Sequence, residues 1–339
     1  MSYRYDNEYR SVIEETRILL DANPEWRSRY AAYAAGISEN IELIRSARQK
    51  FALTHALSAY INVSNAKNAK RTLNFDLRYL GQSVADLMIR DGIIKVDTSR
   101  FDTKNERDFG CGTMLSNALW HSSEAERFRS FFHNRSPERL PGSAKKNEEH
   151  RLESLLLAEF SGGKEKALPN IQPVMVAGLR FPTPTPLSAS NHSKVSYASF
   201  YGGGIDILAR TGKGKHAKLC VIELKDENKD TEPVSDVLKQ AIKYTVFIRE
   251  LLRSNTGAAW WRLFGFNATG NNPIPENLVI YTACAMPDKP DADASFAGVE
   301  YSIGNDVIRL HYIYFNEDCN KINNIYSSLP YGTPKEHVR

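Results

Sequence analysis

The sequence predicts an α/β protein preceded by a mostly helical α+β region, and three observations carry that reading. Between residues 148 and 315, helix-periodic and strand-length apolar runs follow one another in the order α-β-β-β-α-β-(β), the pattern of helices packed on a single sheet. The first sixty residues instead repeat apolar side chains at helical spacing, from Val12, Ile13, Leu19 and Leu20 through Tyr30, Tyr33, Ile41, Leu43 and Ile44. Between the two regions, the stretch from Asn134-Arg135-Ser136-Pro137 to Pro141-Gly142-Ser143 has the chemistry of a linker. It divides the chain into a 1–140 accessory or recognition domain and a 141–339 domain with the α/β core.

Taken in order, Pro24 after Asn23 splits residues 7–60 into two helices. Residues 72–97 read as a strand, a helix over 82–90, and a short strand after Asp91-Gly92, followed by a mixed stretch to about 132. Glu148–Phe160 is a helix, with Leu152, Leu155, Leu156 and Phe160 on one face. Gln172–Phe181 is a strand closed by Pro182, Pro184 and Pro186. Tyr201–Arg210 and Lys218–Lys225 are strands joined in a hairpin by Thr211-Gly212-Lys213-Gly214-Lys215. Ser235 N-caps a helix running through Leu252 that turns Val237, Leu238, Ala241, Ile242, Thr245 and Ile248 inward. Leu278–Ala285 and Val307–Phe315 are the last strands.

With 42% hydrophobic and 25% charged residues the 339-residue chain has globular proportions, which excludes disorder, collagen and coiled-coil arrays. A net charge of +4 leaves any phosphate-binding surface to a local patch. No apolar run approaches a membrane span and the charged N-terminus lacks a secretory signal, so a cytoplasmic protein with no membrane partner is expected. The four cysteines form no CxxC pair, which argues against a zinc ribbon. Cys220 and Cys284 sit in apolar runs and read as small buried hydrophobes.

The chemistry lies where charge interrupts strands. Asp206 stands within Ile205-Asp206-Ile207-Leu208, and Glu223 and Lys225 end the run Leu219-Cys220-Val221-Ile222. Alternation along a strand puts Glu223 and Lys225 on one face. A hairpin brings Asp206 beside Glu223, and two carboxylates that close repel unless a divalent cation relieves them. Asp206, Glu223 and the Leu224 carbonyl would then hold Mg²⁺, with Mn²⁺ as a substitute, and Lys225 would orient an attacking water and stabilise charge on phosphorus. Gly202, Gly203 and Gly204 would let a nucleic-acid backbone come close.

Asp206 followed seventeen positions later by Glu223-Leu224-Lys225 resembles the PD-(D/E)XK nuclease superfamily, over roughly residues 145–285. Ile205 replaces the proline that often precedes the acid. The resemblance implies a restriction-endonuclease-like core, a mixed central sheet flanked by helices. It also implies a glutamate from the first helix, which Glu153 matches and Glu149 rivals, and a polar residue on the second helix, which Gln240 matches with Tyr244 one turn on. Gln240, Tyr244 and Lys225 are then the expected nucleic-acid contacts.

A metal-dependent endonuclease acting on DNA follows, with a defence role by analogy and a homodimer needed to cut both strands. A catalytically silent nucleic-acid-binding or scaffold protein and an RNA-directed nuclease are the alternatives. Other motifs are weaker. Glu227-Asn228-Lys229 repeats the ExK spacing in a polar loop, and neither a GxGxxG loop nor a GxSxG elbow is present. The segment 127–139 interleaves arginines with phenylalanines, and Arg45–Lys50 and Lys67–Arg71 are basic clusters that could meet phosphates.

Overall fold

The computed structural model describes residues 3–51, 57–63, 73–79, 81–101, 109–134, 144–161, 168–169, 171–176, 179–180, 185–188, 194–198, 202–226, 232–266, 272–318 and 321–331. Three helices come first, α1 (Asp6–Ala22), α2 (Glu25–Glu39) and α3 (Ile41–Phe51), with Pro24 at the first break. An antiparallel meander follows: β1 (Leu57–Ile61), β2 (Leu73–Tyr79), β3 (Gln82–Arg90), β4 (Ile93–Asp97) and β5 (Ala118–Leu119). Two sequence expectations change here. Residues 57–60 belong to a strand, and 82–90 is a strand rather than a helix. Asp91 and Gly92 both take positive φ (53° and 71°), the two-residue hairpin turn that aligns β3 against β4. Leu87 and Ile89 therefore turn inward at period two.

Two helices lead into the second sheet, α4 (Ser123–Asn134) and α5 (Ala144–Ser161). The expected strand at 172–181 divides between sheets. β6 (Ile171–Pro173) pairs with the second sheet, whereas β7 (Met175–Val176) and β8 (Leu179–Arg180) join the first, β8 lying parallel to β1. The second sheet contains β9 (Ile207–Thr211), β10 (Lys218–Leu224), β11 (Val279–Pro287), β12 (Glu300–Ile303), β13 (Asp306–Asp318) and β14 (Lys321–Ser327), in the order β12-β13-β11-β10-β9-β6 with β14 on β13. Its helices are α6 (Val234–Arg253) and α7 (Gly257–Leu263). The architecture is thus mixed α/β, with one largely antiparallel sheet and one mixed sheet.

β9 and β10 form the expected antiparallel hairpin, Lys218 opposite Thr211, and β10 then runs parallel to β11. Gly212 takes φ +91° in the turn, where a Cβ would also meet the His216 carbonyl at 3.0 Å. β9 starts one residue after Asp206, so this acid stands at the strand's entry rather than within it. The glycines before it have a role other than the expected one. The backbone of Gly203 pairs with Thr185 and Leu187, and a Cβ on Gly202 would lie 1.9 Å from the Thr185 carbonyl. That close approach serves the chain's own backbone.

Both faces of β10 are covered. Leu219 and Val221 join the core that contains α6, while Cys220, Ile222 and Leu224 join the core built on α5. Helix α6 is itself buried on nearly every face, because α1 and α2 cover the side turned away from the sheet. Tyr9 donates to the Ser235 carbonyl at 3.3 Å, and Phe247 meets the rings of Trp26 and Tyr30 edge-on at 5.5 and 5.1 Å. Ser235 is buried inside the first turn, with Pro233 at the cap position, so it does not cap the helix as the sequence suggested. The apolar cluster continues from residues 9–132 to residues 174–314, and the boundary expected near 140 falls outside the described residues.

Other expectations resolve locally. In α4, Phe128 and Phe132 are core residues and Arg129 donates to the Trp120 carbonyl, which removes them as base-stacking groups. Arg45 is exposed beside Glu42, whereas Lys67–Arg71 and Glu227-Asn228-Lys229 lie outside the described residues. Among the described residues no helix is long and apolar enough to cross a membrane. Truncating Phe247 to Ala should cost about 3–5 kcal/mol, the usual cost of emptying a buried aromatic site. Chemical denaturation checks the loss, and hydrogen exchange should show α2 losing protection together with α6.

Candidate metal centre

The carboxyl-terminal end of β10 gathers four charged groups from three places in the chain. Glu223 and Lys225 continue the row of Leu219 and Val221 and are only 1% and 3% exposed. Lys225 Nζ donates to Glu223 Oε1 at 2.9 Å and to Glu149 Oε1, on α5, at 3.4 Å. Asp206 is anchored by the Leu224 backbone N–H, which donates to Oδ2 at 2.8 Å. The hairpin register creates that bond, since Ile222 opposite Ile207 sets the end of β10 beside the entry of β9. Oxygens of Glu149, Asp206 and Glu223 all lie within 4.8 Å of one another.

The electrostatics follow from burial. Desolvation pushes the Asp206 carboxyl well above the ordinary range, and the neighbouring Glu223 charge adds to the rise. Desolvation likewise lifts Glu223 to about 7, although Lys225 pulls it back. For Lys225 burial acts against the charge, but Glu223, Asp206 and Glu149 outweigh it and hold the ammonium above its usual value. Glu223 Oε2 is buried with no hydrogen-bond partner. An acceptor left without a donor among three converging carboxylates is the donor set a hard divalent cation takes. The spacing fits as well, because ligands on opposite sides of a small divalent ion stand about 4–5 Å apart.

The structure brings Asp206, Glu223 and Lys225 together, with Glu149 as the carboxylate from α5. Glu153, one helical turn further on, is not in that group; its Oε1 accepts from Tyr60 Oη at 3.1 Å. Gln240 and Tyr244 are buried and bonded to each other, Nε2 to Oη at 3.3 Å. Burial and the Glu223 charge together push the Tyr244 hydroxyl well above its usual value. The Leu224 contact is made by its N–H.

Three further charged or polar groups escaped the sequence reading. Lys243, 1% exposed on α6, feels the charges of Glu223 and Lys225, and burial lowers its pKa. Its signal was available, as a lysine three residues after Gln240 and next to Tyr244 in the helix that follows the ExK strand. Tyr60 and Arg78, from the first sheet, carried no such signal. β2 alternates perfectly, and Arg78 reads as an ordinary solvent-face residue. No family model, curated protein or solved structure matches the chain at a significant level.

The raised Glu223 value gives a signed expectation. In the folded protein its carboxyl holds a proton up to about pH 7, against about 4.5 when unfolded. The folded state therefore binds more protons, and stability falls as pH rises through that window. Glu223→Gln removes the penalty. In EDTA its stability relative to wild type should be greater at pH 8 than at pH 5 by about 2 kcal/mol. Denaturant titrations at both pH values check this, and an equal difference at the two would contradict it.

Proposed function

We propose that the chain is a Mg²⁺-dependent endonuclease that hydrolyses DNA phosphodiester bonds, with a PD-(D/E)XK-like catalytic region. The observation that carries this reading is the convergence of Asp206, Glu223 and Lys225 with Glu149, three carboxylates and one lysine at the end of a buried strand. The element order also supports it. α5 precedes an antiparallel hairpin that bears the acid and the ExK, and α6 then leads to β11, parallel to β10. This order resembles a restriction-endonuclease-like core.

Asp206, Glu223 and Glu149 would hold the cation, which would supply Lewis-acid polarisation of the phosphate and a water of lowered pKa. Lys225 stays protonated at neutral pH because the carboxylates around it favour its charged form. It therefore orients the water and stabilises the charge that develops on phosphorus, and it does not accept the water's proton. Gln240 and Tyr244 are buried and bonded to each other on α6, so contact with a substrate would require that pair to open; the tyrosine hydroxyl stays protonated. A homodimer would be required for double-strand cutting, since one site cuts one strand. Defence against foreign DNA is the role that fits such an activity.

The test is cleavage of plasmid DNA, single-stranded DNA and RNA by wild type and Lys225→Ala, with Mg²⁺, Mn²⁺ or EDTA. DNA cutting should require the metal and fall at least about 100-fold in the variant, the usual scale for losing a transition-state charge partner. Cutting of RNA alone would move the substrate. A folded protein that neither cuts nor binds Mn²⁺ would leave the silent binding protein as the better account.

A further inference from the structure

Glu153 raises a question that the acidic cluster does not answer. It sits on α5 at i+4 from Glu149, so the two share a face of the helix. Its carboxylate is 2% exposed, and both of its oxygens have partners in the first sheet. Tyr60 Oη, on β1, donates to Oε1 at 3.1 Å, and Arg78 Nη1, on β2, lies 3.9 Å from Oε2. Arg78 is fixed in turn. Its Nε donates to Asp76 at 2.5 Å, its guanidinium stacks over the Tyr60 ring at 4.3 Å, and Ser83 donates to the same Asp76 oxygen at 2.8 Å. Glu153 nevertheless remains close enough to the cluster for its charge to act on Asp206.

Resting on the metal-site reading above, we propose that Tyr60 and Arg78 form a latch that holds Glu153 out of the cation's coordination. The first sheet thereby sets how many carboxylates the site offers. A buried carboxylate deprived of its partners is costly. With the latch removed, the compensating charge within reach of Glu153 is a cation at the neighbouring cluster. Four carboxylates hold a hard cation more tightly than three, so opening the latch tightens metal binding. Tyr60 and Arg78 are positioning residues in this scheme, acting only through Glu153.

The experiment is calorimetric titration of Mn²⁺ into the full chain at constant pH. The variants are Tyr60→Phe, Arg78→Gln, Glu153→Gln and the two doubles with Glu153→Gln. Arg78→Gln should tighten Mn²⁺ binding by about tenfold, the scale on which partners of metal ligands act. Tyr60→Phe should shift affinity the same way without changing charge. Glu153→Gln alone should weaken Mn²⁺ binding by no more than about threefold, the through-space loss of one nearby charge, and in its background neither latch variant should raise affinity to the wild-type value or beyond. A loss of about tenfold or more in Glu153→Gln would make Glu153 a ligand already, and would overturn the latch. So would latch variants of unchanged affinity, or a gain that persists without Glu153, which would be only the through-space effect of a lost charge. If Arg78→Gln fails to fold, Tyr60→Phe decides. A folded wild type that binds no Mn²⁺ would refute the metal site itself, and the latch with it.

Discussion

The structure depends on one constraint: Glu223 and Lys225 are ionisable groups held out of water. Removing two such groups from solvent costs several kcal/mol each unless geometry returns it. Here the return comes from three separate places in the chain. Lys225 bridges Glu223 and Glu149, and Asp206 is held beside them by the Leu224 N–H. α5, the β9 entry and the β10 end must therefore be in register for this charge set to exist at all. The set is still unbalanced, with three carboxylates to one bridging lysine and a buried oxygen on Glu223 without a donor.

Helix α6 links this cluster to the rest of the molecule. Its sheet-facing side carries Gln240 and Tyr244 near the charges and places Thr245 Oγ1 2.7 Å from Thr282 on β11. Its outer side meets Trp26, Tyr30 and Tyr9 from the first two helices. A helix buried on both sides cannot shift without disturbing two interfaces, and interiors packed at crystal-like density transmit such shifts. The polar groups it presents are thus held on a rigid element. The first sheet reaches the same neighbourhood by another route, through Tyr60 and Arg78 against α5.

Much of this was legible in one dimension. Strand-length apolar runs interrupted by Asp206, Glu223 and Lys225 mark charge in places where desolvation forbids it without a partner, and that needs no coordinates to recognise. The hairpin followed from two such runs around a glycine-rich turn. Less legible were elements whose local pattern fits more than one state. Residues 82–90 contain enough apolar side chains for either period, and the Asp91-Gly92 turn with its partner strand decided for β. The strand at 172–181 could not be divided by inspection, because its pieces are claimed by different sheets.

The sequence by itself determined the α/β class, the charged interruptions and the hairpin that pairs them, because those rest on local periodicity and on the cost of burying charge. Only the tertiary structure decided which glutamate of α5 meets the cluster. Glu149 and Glu153 lie one turn apart on the same face, and no local rule separates them. The choice is made by their surroundings, since Lys225 lies within reach of Glu149 while Tyr60 and Arg78 engage Glu153. Those partners come from strands distant in the sequence, and a contact between distant segments is a property of the folded chain alone.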